Sequence, residues 1–378
     1  MTKTKKQPQQ MDIKVETLAL SNAIKSVKTL CSSKIHDVLN YVLLVAREDV
    51  LEVHATDLKV SAIINVIARV NKPGCVLVQH KRLLSTLQKV KDEDYIQIVD
   101  NEVVAGTLSV QQKQESIDRY PTLPIYDQVK SGFSCDLRLF CESLIKAKTC
   151  TTTEKTRYDL SVIRLENVGD SVFLIATDGK RLARVELPCS HKSFSPSSVP
   201  KEFYERVLEY YKVHKERESV TISINSRYNE ICMVSERVRI QSKLSGGTFP
   251  PYEKILPKSF VGQLKFDCQK EFLKKLDRVS KFCDPKDEKV EIIIDEGRLK
   301  FVVFDEDANK SVDQVPLNCS FVSRILMQPR FLLDHLKLSS GELVLKVVEN
   351  DSDNYANRGL MLCSEDYETF SLGMRFEK

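Results

Sequence analysis

Ile175 to Pro188 reads I-A-T-D-G-K-R-L-A-R-V-E-L-P, and this stretch decides how the rest of the chain is read. It has the form of a buried strand end, a tight turn at Asp178-Gly179 and a second strand. In that second strand the apolar residues Leu182, Val185 and Leu187 alternate with Arg181, Arg184 and Glu186. Alone, this describes any antiparallel hairpin. The same A-T-D returns at Ala55 to Asp57, followed by Leu58 and Lys59, 121 residues earlier. An echo at a fixed distance is the mark of a duplicated unit.

Working outward, three units can be laid over one another. Each opens with a short strand and an amphipathic helix, carried by Leu20, Ile24 and Val27, by Phe140, Leu144 and Ala147, and by Phe272, Leu276 and Val279, at offsets of 120 and 132 residues. Spacing of i, i+4, i+7 places each trio on one helical face. Hairpins follow, from Val42 to Val45 and Val50 to Ala55, from Ile163 to Leu165 and Val172 to Ala176, and from Val290 to Ile294 and Leu299 to Phe304. Their turns are expected at Glu48-Asp49, Gly169-Asp170 and Glu296-Gly297. A second helix begins near Leu83, Phe203 and Phe331, and further strands such as Val220 to Ile224 and Leu343 to Val348 close the units. The expected fold class is α+β, with three repeated domains of two helices packed on antiparallel sheets. Polar, proline-bearing seams are expected at Asp118 to Lys130 and Phe249 to Gly262. The domains then span 11–130, 131–258 and 259–378, after a loose tail at 1–10.

With 378 residues, 42% hydrophobic and 29% charged, the chain has material for two or three cores of ordinary size. No run approaches the roughly 18 apolar residues needed to cross a bilayer. The start, M-T-K-T-K-K-Q-P-Q-Q, has no apolar segment of a signal peptide, so a cytoplasmic protein without a membrane partner is expected. The eleven cysteines show no C-x-x-C spacing and read as reduced, mostly structural thiols.

Enzyme signatures are absent. There is no G-x-x-x-x-G-K-[ST], G-x-S-x-G or H-E-x-x-H, and the six histidines are scattered. No catalytic residue, metal or cofactor is expected. Asp178 has the residue type of a catalytic acid or metal ligand, but a turn aspartate bonding its own backbone is the preferred reading. Ser245-Gly246-Gly247 lacks the strand and helix context of a phosphate loop.

Charge placement says more. The six expected helices, Leu18 to Leu30, Gln79 to Lys91, Leu137 to Lys148, Lys201 to Lys215, Lys270 to Lys281 and Gln328 to Lys337, each carry net positive charge. Together they carry +13 in a chain of +4, which leaves −9 elsewhere. One positive helix face is usually only a solvated face. Six of one sign in a threefold repeat point to a common basic surface for a polyanion, most simply nucleic acid held by its phosphates without sequence reading.

At this point the residues resemble the β sliding clamp family of bacterial DNA polymerase III over about residues 11 to 378. The marks are A-T-D-G-x-R-L-A at 176–183, G-G-x-F-P-x-Y-x-x-[IV]-[LI]-P at 246–257, Tyr120-Pro121-Thr122-Leu123 and the ending G-M-R-F at 373–376. The resemblance implies a non-enzymatic processivity factor of three clamp domains. Two protomers would close head to tail into a ring whose helices face duplex DNA. It implies a partner-peptide pocket of Leu160, Thr177, Gly179, Lys180, Arg181 and Leu182, with Pro250, Lys254 and Ile255 from the seam and Leu372, Gly373 and Met374 from the tail. Leu182 and Ile255 would form its apolar floor, and Arg181 and Lys254 its polar rim. Lys180 stands where the family commonly has histidine, Gly373 where proline is usual, and Ser161-Val162 where Asn-Gly is frequent.

Expected partners are the polymerase III alpha subunit, the clamp loader and other proteins with clamp-binding motifs. Basic side chains expected to face DNA are Lys25, Lys28, Lys81, Arg82, Lys146, Lys148, Arg206, Lys274, Lys275 and Arg278. Val110 and Phe282 are expected at the homodimer seam. Two rivals stand beside this reading: a nucleic-acid enzyme using Asp57 and Asp178, and a monomeric clamp relative.

Overall fold

The structure, a computed structural model, describes residues 11–123, 131–154, 156–266, 269–295, 297–317, 319–339, 341–349 and 359–374. The tail at 1–10, residues 124–130 of the first seam, Glu296 of the third hairpin turn and residues 375–378, which include the last two of the G-M-R-F motif, lie outside the described residues.

Six α-helices are present among the described residues: α1 (Thr17–Ser26), α2 (His80–Lys89), α3 (Leu137–Lys148), α4 (Lys201–Val213), α5 (Gln269–Ser280) and α6 (Pro329–Leu338). Each sits where periodicity places it, because the apolar stripe is what a marginal helix of this length needs in order to persist. Leu20, Ile24 and Val27, Phe140, Leu144 and Ala147, and Phe272, Leu276 and Val279 are all buried. So are Leu83, Phe203 and Phe331 on the second helix of each repeat. Proline at the first position of α6 sets its φ and loses no needed hydrogen bond. The first helix is shorter than expected. It ends at Ser26, and tighter bonds from the amides of Lys28, Leu30 and Cys31 to carbonyls three residues back carry the chain onward.

The hairpins pair as Tyr41–Arg47 with Val50–Thr56, Ile163–Val168 with Ser171–Thr177, and Val290–Asp295 with Arg298–Phe304. Their turns carry the left-handed residues that two-residue connections require, Glu48 at φ 51°, Gly169 at φ 60° and Gly297 at φ 84°. The second seam is shorter than expected, since Phe260 already opens a strand, Phe260–Phe266.

The chain divides into two compact units, one of residues 1–141 with 188–246 and the other of 142–187 with 247–378. The division runs through the second expected domain, and the strand ladders show why. In the first unit Val60–Lys72, the strand after the first A-T-D, pairs with Val238–Lys243, so that Val60 faces Ser242 and Ile64 faces Val238. In the second unit Arg181–Leu187, the strand after the second A-T-D, pairs with Tyr367–Ser371, so that Arg181 faces Ser371 and Val185 faces Tyr367. Successive repeats are joined edge to edge, so each unit draws its strands from two repeats. Each unit has its own core. In the second it runs through Leu264, Phe272, Leu276, Ile292, Phe301 and Leu345.

Candidate functional site

The A-T-D turns are built alike atom for atom. Asp178 Oδ1 accepts the amides of Lys180 (2.9 Å) and Arg181 (3.0 Å), while Thr177 Oγ1 donates to the Arg181 carbonyl (2.7 Å) and accepts from Gly179 N (3.1 Å). Asp57 Oδ1 accepts from Lys59 (2.9 Å) and Val60 (2.8 Å), and Thr56 Oγ1 donates to Val60 O (2.9 Å) and accepts from Leu58 N (3.0 Å). A third copy, invisible as a motif, lies at Asp305, whose Oδ1 accepts from Asp307 (3.0 Å) and Asn309 (2.8 Å) in a loop one residue longer. Both aspartates are bound into the backbone of their own turns, as the preferred reading of Asp178 has it.

Arg181 departs from its expected place on a rim. It is 4% exposed; its Nε bonds Asp178 Oδ2 at 3.0 Å, one terminal nitrogen bonds Asp334 Oδ2 at 2.7 Å and the other bonds the Thr149 carbonyl. The guanidinium lies 4.7 Å from the Phe331 ring centroid of α6. Burial works against its charge, but Cys150, Asp334 and Asp178 outweigh that, so it is held protonated more firmly than usual. Arg181 is a buried tie between hairpin and helix.

Around that tie the second unit gathers three segments. Leu182 is fully buried among Val162, Phe173, Ile175, Phe249 and Tyr252, so it supports the surface from beneath. Pro250 and Lys254 belong to the seam; Lys254 and Ile255 are exposed around the 3-10 turn Tyr252–Lys254. The tail joins the hairpin directly, Leu372 N donating to Lys180 O at 2.9 Å, and Met374 N bonds Leu326 O at 2.6 Å. Leu372 and Ile255 are exposed apolar residues, and Lys180, whose carbonyl meets Leu372, is exposed as well. Leu160 and Thr177 are buried, and Gly373 is half-buried. Gly179, at φ 89°, is packed by Arg157, whose Nη2 would lie 2.8 Å from an added Cβ. Arg157 is an exposed cation beside the Asp178-Gly179 turn that sequence reasoning missed; its position three residues before Leu160 was the available signal.

The basic side chains fall into two groups. Lys25, Lys28, Lys81 and Lys274 are exposed and form no ion pair among the described residues. Arg82 is exposed, with Nε bonding Gln111 O at 3.0 Å, and Lys148 is half-buried. Four others are committed internally. Lys146 bonds both carboxylate oxygens of Asp366 (2.8 and 2.7 Å), Arg206 pairs with Glu209 (2.6 Å), Lys275 reaches Glu271 and Gln314 O, and Arg278 pairs with Asp313 at 2.5 Å.

Val110 lies in Leu108–Gln111, the last strand at one end of its sheet. Phe282 is 57% exposed just past α5; Phe304 and Val312, on the paired strands Arg298–Phe304 and Lys310–Pro316, are also exposed.

Sequence models of the DNA polymerase III beta subunit match this chain, the N-terminal domain over 11–130 and the central domain over 138–251. The chain belongs to the DNA polymerase III beta subunit family. The beta sliding clamp of Caulobacter vibrioides is 24% identical over 342 residues, covering 84% of this chain and 89% of that one. That of Chlamydia muridarum is 24% identical over 351 residues, covering 90% and 93%. Among solved structures, the sliding clamp of Bartonella birtlesii bound to griselimycin superposes with a TM-score of 0.85 at 22% identity, over 97% of this chain and 100% of that one. The beta subunit of Thermotoga maritima gives 0.85 at 18%, over the same shares. The function is that of the family, a non-catalytic DNA sliding clamp.

Proposed function

We propose that two copies of this chain, each of three clamp domains (11–130, 131–258 and 259–378), close head to tail into a ring around duplex DNA. The observation that carries this is the joining rule of the repeats. The strand after the aspartate turn of one repeat pairs with the last strand of the next, twice. The third such strand, Lys310–Pro316, stands at an open sheet edge, and so does Leu108–Gln111, the last strand of the first repeat longer than two residues. Two complementary open edges on different surfaces form a heterologous contact, which closes into a ring when the rotation allows it. Exposed Phe282, Phe304 and Val312 near one edge, and Leu108 on the other, supply apolar surface for the junction. Lys25, Lys28, Lys81 and Lys274 would meet phosphates, and the surface formed by 177–182, 249–256 and 371–374 would receive Leu- or Phe-anchored peptides from the polymerase alpha subunit, the clamp loader and other partners. A ring of this kind acts where the DNA it encircles is, in the cytoplasm. Among the described residues no helix is long and apolar enough to cross a membrane.

The test is native mass at several concentrations, followed by gel filtration of rings loaded on circular DNA at high salt. A dimer retained on intact circles and lost after linearisation is expected. Equal loss from both, or a protomer mass throughout, would reject encirclement and leave the monomeric relative.

A further inference from the structure

The seam 246–257 carries two of the exposed residues a partner would meet, yet little in its own backbone holds them. Pro250 and Pro251 have no amide to donate. The bonds of its 3-10 turn, Tyr252 N to Pro250 O, Lys254 N to Pro251 O and Ile255 N to Tyr252 O, are internal to the segment. Attachment to the strand Ile163–Val168 is made by side chains. Tyr252 Oη donates to Glu166 Oε2 at 2.8 Å in a buried bond. The other carboxylate oxygen of Glu166 accepts Arg164 Nε. Arg164 lies 5.5 Å from the Phe249 ring centroid, and Phe249 meets Tyr252 edge-on at 6.2 Å. These four side chains form a closed circuit with the carboxylate at its head, and Glu166 is only 7% exposed. Burial first, and then the bond to Glu166, push the Tyr252 phenol above its ordinary value, so the proton stays on the oxygen that donates.

We propose that Glu166 is a positioning residue for partner binding: by gripping the Tyr252 hydroxyl it fixes the turn that presents Lys254 and Ile255. The inference rests on the reading that the surface formed by 177–182, 249–256 and 371–374 receives partner peptides. A buried carboxylate is costly unless bonded, so placing one here rather than an apolar residue sacrifices packing for a directional link. Glu166 itself touches no partner.

The experiment uses the full chain and a fluorescein-labelled peptide with Leu and Phe anchors, read by anisotropy alongside urea unfolding. Tyr252→Phe removes only the hydroxyl and should weaken the peptide by about tenfold, the scale of one buried hydrogen bond. Glu166→Gln keeps an acceptor for the phenol and should stay within about twofold. Tyr252→Phe combined with Glu166→Met removes both partners of the buried bond and leaves Arg164, 26% exposed, to water, so stability should return toward the parent while affinity stays low. If affinity recovers together with stability, the pair is merely structural and the proposal falls. It also falls if Tyr252→Phe binds like the parent. Ile255→Asp separates the two levels of the argument. Loss of binding there with none in Tyr252→Phe rejects the positioning role alone, whereas unchanged binding in Ile255→Asp rejects the surface itself and this inference with it.

Discussion

Replacing Arg181 with alanine should destabilise the second unit by about 3 to 4 kcal/mol, because removing one member of a buried ion pair strands the other. The guanidinium side chain is 3% exposed and spans Asp178, Asp334 and the Thr149 carbonyl. Two features pull the cost to the lower end of the usual range. Asp334 is partly solvated and can rehydrate, and Asp178 keeps the amides of Lys180 and residue 181. Removing the cation from the face of Phe331 adds on the order of 1 kcal/mol. Asp334→Asn keeps a hydrogen-bond acceptor and should cost about 1 kcal/mol. A cycle with Arg181→Ala and Asp334→Ala should show coupling of about 1 to 2 kcal/mol. Urea unfolding at pH 7, with an unchanged slope, supplies the free energies. If Arg181→Ala unfolds within about 0.5 kcal/mol of the parent, the size of an ordinary surface substitution, while peptide binding disappears, Arg181 is a contact residue and the buried-tie account is wrong.

Phe282→Asp should turn dimers into monomers by sedimentation, since a charge placed at a desolvated junction costs about 2 kcal/mol or more; an unchanged dimer mass would remove Phe282 from the junction. Joint replacement of Lys25, Lys28, Lys81 and Lys274 by Glu should weaken linear-duplex binding and flatten its salt dependence, by roughly 0.9 in log K against log salt for each phosphate no longer neutralised, with dimer mass kept. Unlike Arg278, which is tied to Asp313 on the open strand, these lysines leave no broken ion pair behind among the described residues. Leu58, exposed at φ 74°, holds the place that Gly179 holds in the second repeat, so Leu58→Gly should stabilise by about 0.5 to 1 kcal/mol and Gly179→Ala should destabilise by at least about 1, read as opposite shifts in unfolding midpoint. Burial, and then Lys146, depress His335 to about 3, so the unfolded chain binds more protons between that value and the usual 6.5. Its share of stability is present above about pH 6.5 and falls at up to 1.4 kcal/mol per pH unit below it, about 2 kcal/mol by pH 5; His335→Gln should show a correspondingly shallower loss.

What could be read from the sequence was whatever depends on near neighbours. The A-T-D turns, the helix faces and the hairpins are set by residues within a few positions of one another, and they lie where spacing placed them. The third turn was missed because Asp305 keeps the bonding pattern without the A-T-D letters and with one added residue. Charges were read least well. Lys146 finds Asp366 across 220 positions, Arg181 finds Asp334 across 153 and Tyr252 finds Glu166 across 86, and no local pattern announces such partners. A cation's type was visible; its commitment was not. The joining rule needed the ladders as well. Only with Val60 facing Ser242 and Arg181 facing Ser371 does the strand after each turn acquire a defined neighbour, the last strand of the next repeat. Lys310–Pro316 obeys the first half of that rule and stands at an open edge, while Leu108–Gln111 offers the second half. Unpaired strand edges are a hazard that a folded chain covers, blunts or uses, and a repeat protein with one of each kind can satisfy both by the contact it already makes twice within itself.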